Sequence, residues 1–145
     1  MFVGQFYHNL DEKGRLTIPA RFRDLLPSGA FVMQGFDRNL MVLPANVFES
    51  MSARVREMSL TDPEARLLRR LLFSTAEQVE VDKAGRILLS QLLRQFAGLS
   101  ANVVVVGMAD YFELWSPDAW TQQNEQIQDA QANAGRFADL RLTSI

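Results

Sequence analysis

Short apolar runs separated by turn residues dominate the chain, and their periodicity changes from one stretch to the next. Residues 2–10 set Phe2, Phe6, Tyr7 and Leu10 among polar neighbours, the pattern of an amphipathic strand. Asp11-Glu12-Lys13-Gly14 follows, an Asx residue that opens a turn and a glycine suited to positive φ. This predicts a hairpin closed by a type I turn and a G1 bulge. Leu16, Thr17 and Ile18 form the returning strand. Pro19 suits the first position of a short helix over 20–26, with Phe22, Leu25 and Leu26 on its apolar side, and Pro27-Ser28-Gly29 stops it. Strands at 31–34 and 40–43 come next, joined by Gly35-Phe36-Asp37-Arg38-Asn39.

Helical spacing then takes over. After Pro44, the residues Val47, Phe48, Met51, Val55 and Met58 form one apolar stripe. Thr61-Asp62-Pro63-Glu64 supplies a cap and a first-position proline for a second helix over 63–73. Its Leu67, Leu68, Leu71 and Leu72 are expected to face inward. Arg66, Arg69 and Arg70 then point outward, as a solvated or ion-paired face rather than a nucleic-acid contact.

From residue 77 the first pattern returns. Adding 71 moves Asp11, Gly14, Arg15 and Arg23 onto Asp82, Gly85, Arg86 and Arg94, so both copies read Asp-x-x-Gly-Arg. Residues 77–81 correspond to 6–10, and Ile87, Leu88 and Leu89 to the returning strand. Ser90 replaces Pro19 as the cap of a helix that Gly98 ends. After one inserted residue the offset becomes 72: residues 103–106 match 31–34, Trp115 matches Leu43 and Trp120 matches Phe48. Ser116 and Pro117 start a last helix over about 117–133, glutamine-rich and largely solvated, and 134–145 is expected as a loosely held tail. The chain thus divides into a first repeat at 1–50, connecting helices at 51–75, a second repeat at 76–122 and a C-terminal helix and tail at 123–145.

Composition narrows what such a chain does. With 145 residues, 48% of them hydrophobic, it can bury a real core. It has no cysteine, which excludes disulfides and thiolate metal sites. A secretory leader and a run of membrane-spanning length are missing from the sequence, so a cytoplasmic protein without membrane partners is expected. The net charge of −2 argues against nucleic acid, but its distribution weakens that objection. Residues 1–73 hold ten Lys/Arg against eight Asp/Glu, whereas 74–145 hold five against nine, so positive charge belongs to the first half. Thirteen of the fifteen basic residues are arginine, which suits geometric recognition.

Arg15 and Arg86 each stand just past a tight turn, where a planar fork of donors can reach phosphates or guanine edges. The competing reading pairs Asp11 with Arg15 across the turn merely to hold its shape, and duplication of the motif fits both. Catalytic constellations are not found. His8 is alone, so no histidine metal cluster can form, and on a strand it reads as structural. Glu77 and Glu80 fall on opposite faces of one strand and do not converge. Phosphate-cradling glycine loops and nucleophile elbows do not occur either, so neither an enzyme nor a cofactor is expected.

NLDEKGRLTIPARFR, VDKAGRILLSQLLRQFAGL and VVVVGMADYFELWSPDAW together closely resemble the bacterial MraZ family over residues 1 to about 120. The resemblance implies an α+β fold in which two tandem AbrB-like halves interleave into one small β-barrel with short flanking helices. It also implies a ring-shaped homo-oligomer and a nucleoid-associated transcription regulator, generally a repressor. Such a protein binds repeated short G-rich elements in double-stranded promoter DNA of the division and cell-wall gene cluster. The family's Asp-x-x-x-Arg element falls on Asp11 and Arg15, with Asp82 and Arg86 as its second copy.

In the first copy Lys13, Arg15, Arg21 and Arg23 lie close together around Gly14. The second keeps Lys83, Arg86 and Arg94 but has Gln91 and Leu92 in place of Ala20 and Arg21. Arg15 is therefore expected to read a guanine or phosphate, with Lys13 and Arg21 on the backbone and Asp11, Gly14 and Arg23 completing the expected DNA-binding site, while Asp82, Gly85 and Arg86 serve structure or subunit contact. Two other readings compete. One is a ring-forming structural protein without a DNA target; the other is an AbrB-type antitoxin, which the duplication within one chain disfavours.

Overall fold

The two repeats exchange strands. In the computed structural model, which describes residues 1–142, the first hairpin comprises β1 (Gln5–Asn9) and β2 (Arg15–Thr17), and α1 (Ala20–Arg23) follows. Then come β3 (Ala30–Gln34), β4 (Leu40–Pro44), α2 (Ala45–Arg56) and α3 (Pro63–Phe73). The second repeat supplies β5 (Glu77–Val79), β6 (Arg86–Leu88), α4 (Gln91–Phe96), β7 (Asn102–Gly107) and β8 (Phe112–Trp115). Helices α5 (Pro117–Ile127) and α6 (Ala130–Arg136) end the regular structure, apart from a short 3₁₀ turn.

All strand pairs are antiparallel. One sheet has the order β1-β7-β8-β4-β3-β5, and β2 pairs with β6 in a separate two-stranded ribbon. Strand β1 of the first repeat thus lies on β7 of the second, and β5 of the second lies on β3 of the first. Two further junctions between the repeats, β2–β6 and β4–β8, are self-complementary: Leu16 faces its counterpart Ile87, and Met41 faces its counterpart Glu113. A pseudo-twofold axis therefore runs between these pairs, as the offsets of 71 and 72 require. The expected barrel closure is not among the pairings of the described residues. Strands β1 and β5 end an open order, because β2 and β6, three residues each, pair with one another, and β2 is tied back to the segment after β1 by the Leu10–Leu16 bridge and the Asp11 N–H to Arg15 carbonyl bond.

The ribbon and the sheet enclose the main core. Leu16, Ile18, Ile87 and Leu89 from the ribbon segments meet Phe22 of α1, Leu93 of α4 and the inner sheet residues Val32, Val42, Val103, Val105, Phe112 and Leu114. Phe22 sits at its aromatic centre, 5.0 Å from Phe2 and 5.2 Å from Phe112, ring centroid to centroid. The outer sheet face is covered by α2 and α3 over Met33, Met41 and Leu43, and by Trp120 of α5 over Val104, Val106 and Trp115. Covered on both sides, β4 and β8 are buried throughout, which explains the continuous rather than alternating hydrophobicity of β4; β8 interrupts its apolar run with the buried Glu113.

Several boundaries differ from the sequence expectation for local reasons. Pro19 and Pro44 are N-caps rather than first helical residues, and α1 ends at Arg23 instead of continuing to residue 26, so it is only four residues long. The last helix breaks after Ile127, because the Asp129 carboxylate accepts the Ala132 N–H at 3.0 Å and restarts it. Leu67 is 62% exposed, so the inward stripe of α3 is Ala65, Leu68 and Leu72. Residues 137–142 are exposed, and 143–145 of the expected tail lie outside the described residues.

Candidate nucleic-acid interface

Each Asp-x-x-Gly-Arg stretch folds into the same tip. Gly14 and Gly85 adopt φ of +84° and +79°, which an L side chain resists, and each N–H donates to the carbonyl oxygen of the aspartate three residues earlier at 3.0 Å. One carboxylate oxygen of Asp11 accepts the Lys13 and Arg15 amides at 3.0 and 2.8 Å; that of Asp82 accepts the Ala84 and Arg86 amides at 2.9 and 2.8 Å. The other oxygen takes the arginine Nε, at 2.7 Å for Arg15 and 3.1 Å for Arg86. Backbone donation by the motif arginine is the largest influence on each aspartate, and it holds both carboxyl groups below the usual carboxylate range.

The strand exchange brings the two tips together. Arg15 stands opposite Leu88, and Thr17 opposite Arg86, while Leu16 and Ile87 between them are buried. Alternation along a strand therefore turns Arg15, Thr17, Arg86 and Leu88 to the outer face of the ribbon. Arg86 also approaches Asp11, with 3.7 Å between Nη1 and Oδ2, so Asp11 touches both motif arginines while Asp82 touches one. Anchored by Nε, Arg15 leaves its terminal amines without a hydrogen bond to any described residue. The shape-holding pair and the outward fork are thus properties of one side chain.

The remaining expected site residues fall into different settings. Lys13 is exposed at the turn, and Arg21 is exposed on α1 with its guanidinium 5.8 Å from the Phe6 ring centroid. Arg23 is half-buried and donates from Nε to the Ile18 carbonyl at 2.8 Å; Arg94 does the same to Leu89 at 3.1 Å. His8 is held below its ordinary pKa by partial burial and then by the nearby Arg23 charge, in keeping with a structural histidine. On α3, Arg66 donates to the Leu60 carbonyl and Arg69 to the Arg56 carbonyl, each at 2.8 Å, so part of that arginine cluster is spent on the loop and helix before it.

Thr17 and Leu88 were not among the expected site residues. The signal for Thr17 was its period-two relation to Arg15. Leu88 stands in an unbroken Ile-Leu-Leu run that gives no sign of an outward position, yet it is 59% exposed. Among the described residues, no group of three or more His, Cys, Asp or Glu side chains could hold a metal ion, and no helix is long and apolar enough to cross a membrane.

The profile of the family described as "MraZ protein, putative antitoxin-like" matches this chain twice, over residues 1–71 and 72–140. The chain belongs to the MraZ family. It is similar to the transcriptional regulator MraZ of Roseiflexus castenholzii, at 44% identity covering 98% of this chain and all of the relative. The transcriptional regulator MraZ of Thermomicrobium roseum is 44% identical over 88% of this chain and 89% of its own length. That of Corynebacterium kroppenstedtii is 41% identical over 92% and 93%. The double match divides the chain between the same two halves whose strands interleave in the fold.

Proposed function

We propose that this protein is a sequence-specific DNA-binding transcription regulator whose reading head is the β2–β6 ribbon. The observation that carries the reading is the pair of arginines on the outer ribbon face, each tethered by Nε to its own aspartate. A two-stranded ribbon fits the major groove, and an arginine already oriented by a carboxylate loses less freedom when its fork meets guanine O6 and N7. Relatives named as transcriptional regulators over nearly the whole chain support the same reading.

Arg15 is the principal base reader. Lys13 and Arg21 flank it on the phosphates, Asp11 and Gly14 shape the tip, and Arg86 serves the junction through its contact with Asp11. The target is double-stranded promoter DNA with repeated G-rich elements, in the division and cell-wall gene cluster to which the family resemblance points, with repression as the outcome. Several copies of the chain in a ring would present the head at regular intervals. Weak contacts with successive repeats then add through effective concentration. This arrangement tolerates a net charge of −2, since only the tips must be basic.

The deciding experiment titrates the full chain against DNA from upstream of its own gene at two salt concentrations, with Arg15→Ala as control. Tight, sequence-selective binding that Arg15→Ala weakens is expected. Binding indifferent to sequence, or none, would leave a ring-forming structural protein whose turns are only turns.

A further inference from the structure

Arg23 and Arg94 sit in equivalent settings that ordinary helix-end arginines do not share. Each donates from Nε to a carbonyl at the end of its own ribbon strand, Ile18 or Leu89. Each also lies against the turn glycine of the other repeat. A Cβ placed on Gly85 would stand 2.5 Å from Arg23 Nε, and one on Gly14 would stand 2.9 Å from Arg94 Nε. Backbone hydrogen bonds follow the same crossed path, from Ile18 N–H to the Gly85 carbonyl at 2.9 Å and from Leu89 N–H to the Gly14 carbonyl at 2.8 Å. Each glycine thus meets two demands, a positive φ and room for a guanidinium.

We infer that Arg23 and Arg94 form a crossed clasp: Arg94 positions the first tip and Arg23 positions the second, so each repeat sets the geometry of the other's Asp-x-x-Gly-Arg turn. Arg23 is then a positioning residue rather than a phosphate contact, and Arg94 is required for Arg15 to point correctly although it lies 79 residues away in sequence. A planar guanidinium can cover a glycine with its face while its edge donates to a carbonyl. A lysine ammonium cannot do both. The consequence for DNA rests on the function proposed above, but the mechanical coupling does not.

The test uses Arg94→Lys, Arg94→Gln, Arg23→Lys and Arg23→Gln in the full chain. Without DNA, amide hydrogen exchange is followed at Lys13, Gly14, Arg15 and Leu89 for the first tip, and at Ala84, Gly85, Arg86 and Ile18 for the second. Either Arg94 variant should speed exchange at the first tip by about tenfold or more and leave the second nearly unchanged, and the Arg23 variants should do the reverse. Loosening of the substituted repeat's own tip, equal loosening of both, or no change at either would overturn the clasp. With DNA, Arg94→Lys should weaken binding several-fold without altering the salt slope. A lysine variant that binds like the wild type, with a slope reduced by about one in the glutamine variant, would make the residue a phosphate contact instead. Should the wild-type chain not bind DNA at all, the function proposed above fails while the exchange pattern still decides the clasp.

Discussion

The two tips of the ribbon have the same backbone and different surroundings. The hydrogen bonds made by their backbone amides agree to within 0.2 Å, and both aspartates are held in the charged form by the same amides. Around that shared frame the first tip carries Lys13, Thr17 and Arg21, and the second carries Ala84, Leu88 and Leu92 at the equivalent positions. Leu88 and Leu92 are each 59% exposed. Duplication therefore fixes the geometry of the tip without fixing its chemistry. Any difference in what the tips do must come from side chains that the turn itself does not need.

The most severe way to break this comparison is to remove the two motif arginines in turn. A bidentate contact to guanine is worth about 1–3 kcal/mol, so Arg15→Ala should lower affinity for the promoter repeats by about tenfold to a hundredfold. Arg86→Ala should lower it much less, because its tip keeps Lys83 but has Ala84 and Leu92 where the first tip has Lys13 and Arg21. Equal losses in titrations of the two variants would show that the tips read DNA as a symmetric pair, and the shared outer face of the ribbon leaves geometric room for that result.

The pseudo-axis offers a second comparison, between Met41 and Glu113, which face one another across it. Glu113 is buried and accepts the Trp115 indole N–H at 3.1 Å. Burial dominates and pushes its carboxyl group up, despite the opposing influence of the Trp115 indole N–H and the nearby Asn39 amide. A raised folded-state pKa contributes stability below the unfolded value, about 4.3, and loses it as pH rises through the folded pKa. Glu113→Gln should therefore raise the thermal midpoint at neutral pH by a few degrees, with the gain shrinking toward acid. Asp11 and Asp82 have the opposite sign: their contribution is present above the unfolded value, about 3.9, and is lost as pH falls through their lowered pKa values. Exchange protection at the tips should thus persist through mildly acidic solution and fail only in strong acid. Thermal and exchange profiles against pH in which Glu113→Gln changes nothing, or the tips open near neutrality, would contradict these assignments.

Much of this was legible in the residues, and the losses have physical causes. The repeat, its two offsets and the turn chemistry predicted the duplicated tips, since Asx and glycine act over four residues and need no tertiary context. Interleaving followed only from the family resemblance, because nothing in the spacing of Phe6 or Val104 says which repeat supplies a strand's partner. For the same reason Arg23 read as part of a basic surface cluster. Its place against Gly85 depends on a crossing of chains 62 residues apart in sequence, and a local pattern cannot carry that. Leu88 was hidden by its apolar neighbours, and Leu67 by the assumption that every leucine of a stripe is inward.

The mildest substitutions sharpen the comparison most. Lys13 occupies the turn position where the second tip has Ala84, and both are exposed. Neither side chain is needed by the turn, because the Asp11 and Asp82 carboxylates take the backbone amides at those positions. Lys13→Ala should therefore leave the fold and base preference intact and reduce the salt slope of DNA binding by about one. Ala84→Lys is the converse. If the second tip lies beside the DNA backbone, adding a lysine there increases the slope by about one; if it faces a neighbouring subunit, the slope stays as it was and the oligomer weakens instead. Binding isotherms at three salt concentrations, with sedimentation of the same samples, separate these outcomes. An unchanged slope for Lys13→Ala would remove the first tip's lysine from the phosphates and leave Arg21 as the remaining exposed cation of that pair. A slope that changes equally for both substitutions would erase the asymmetry between the tips.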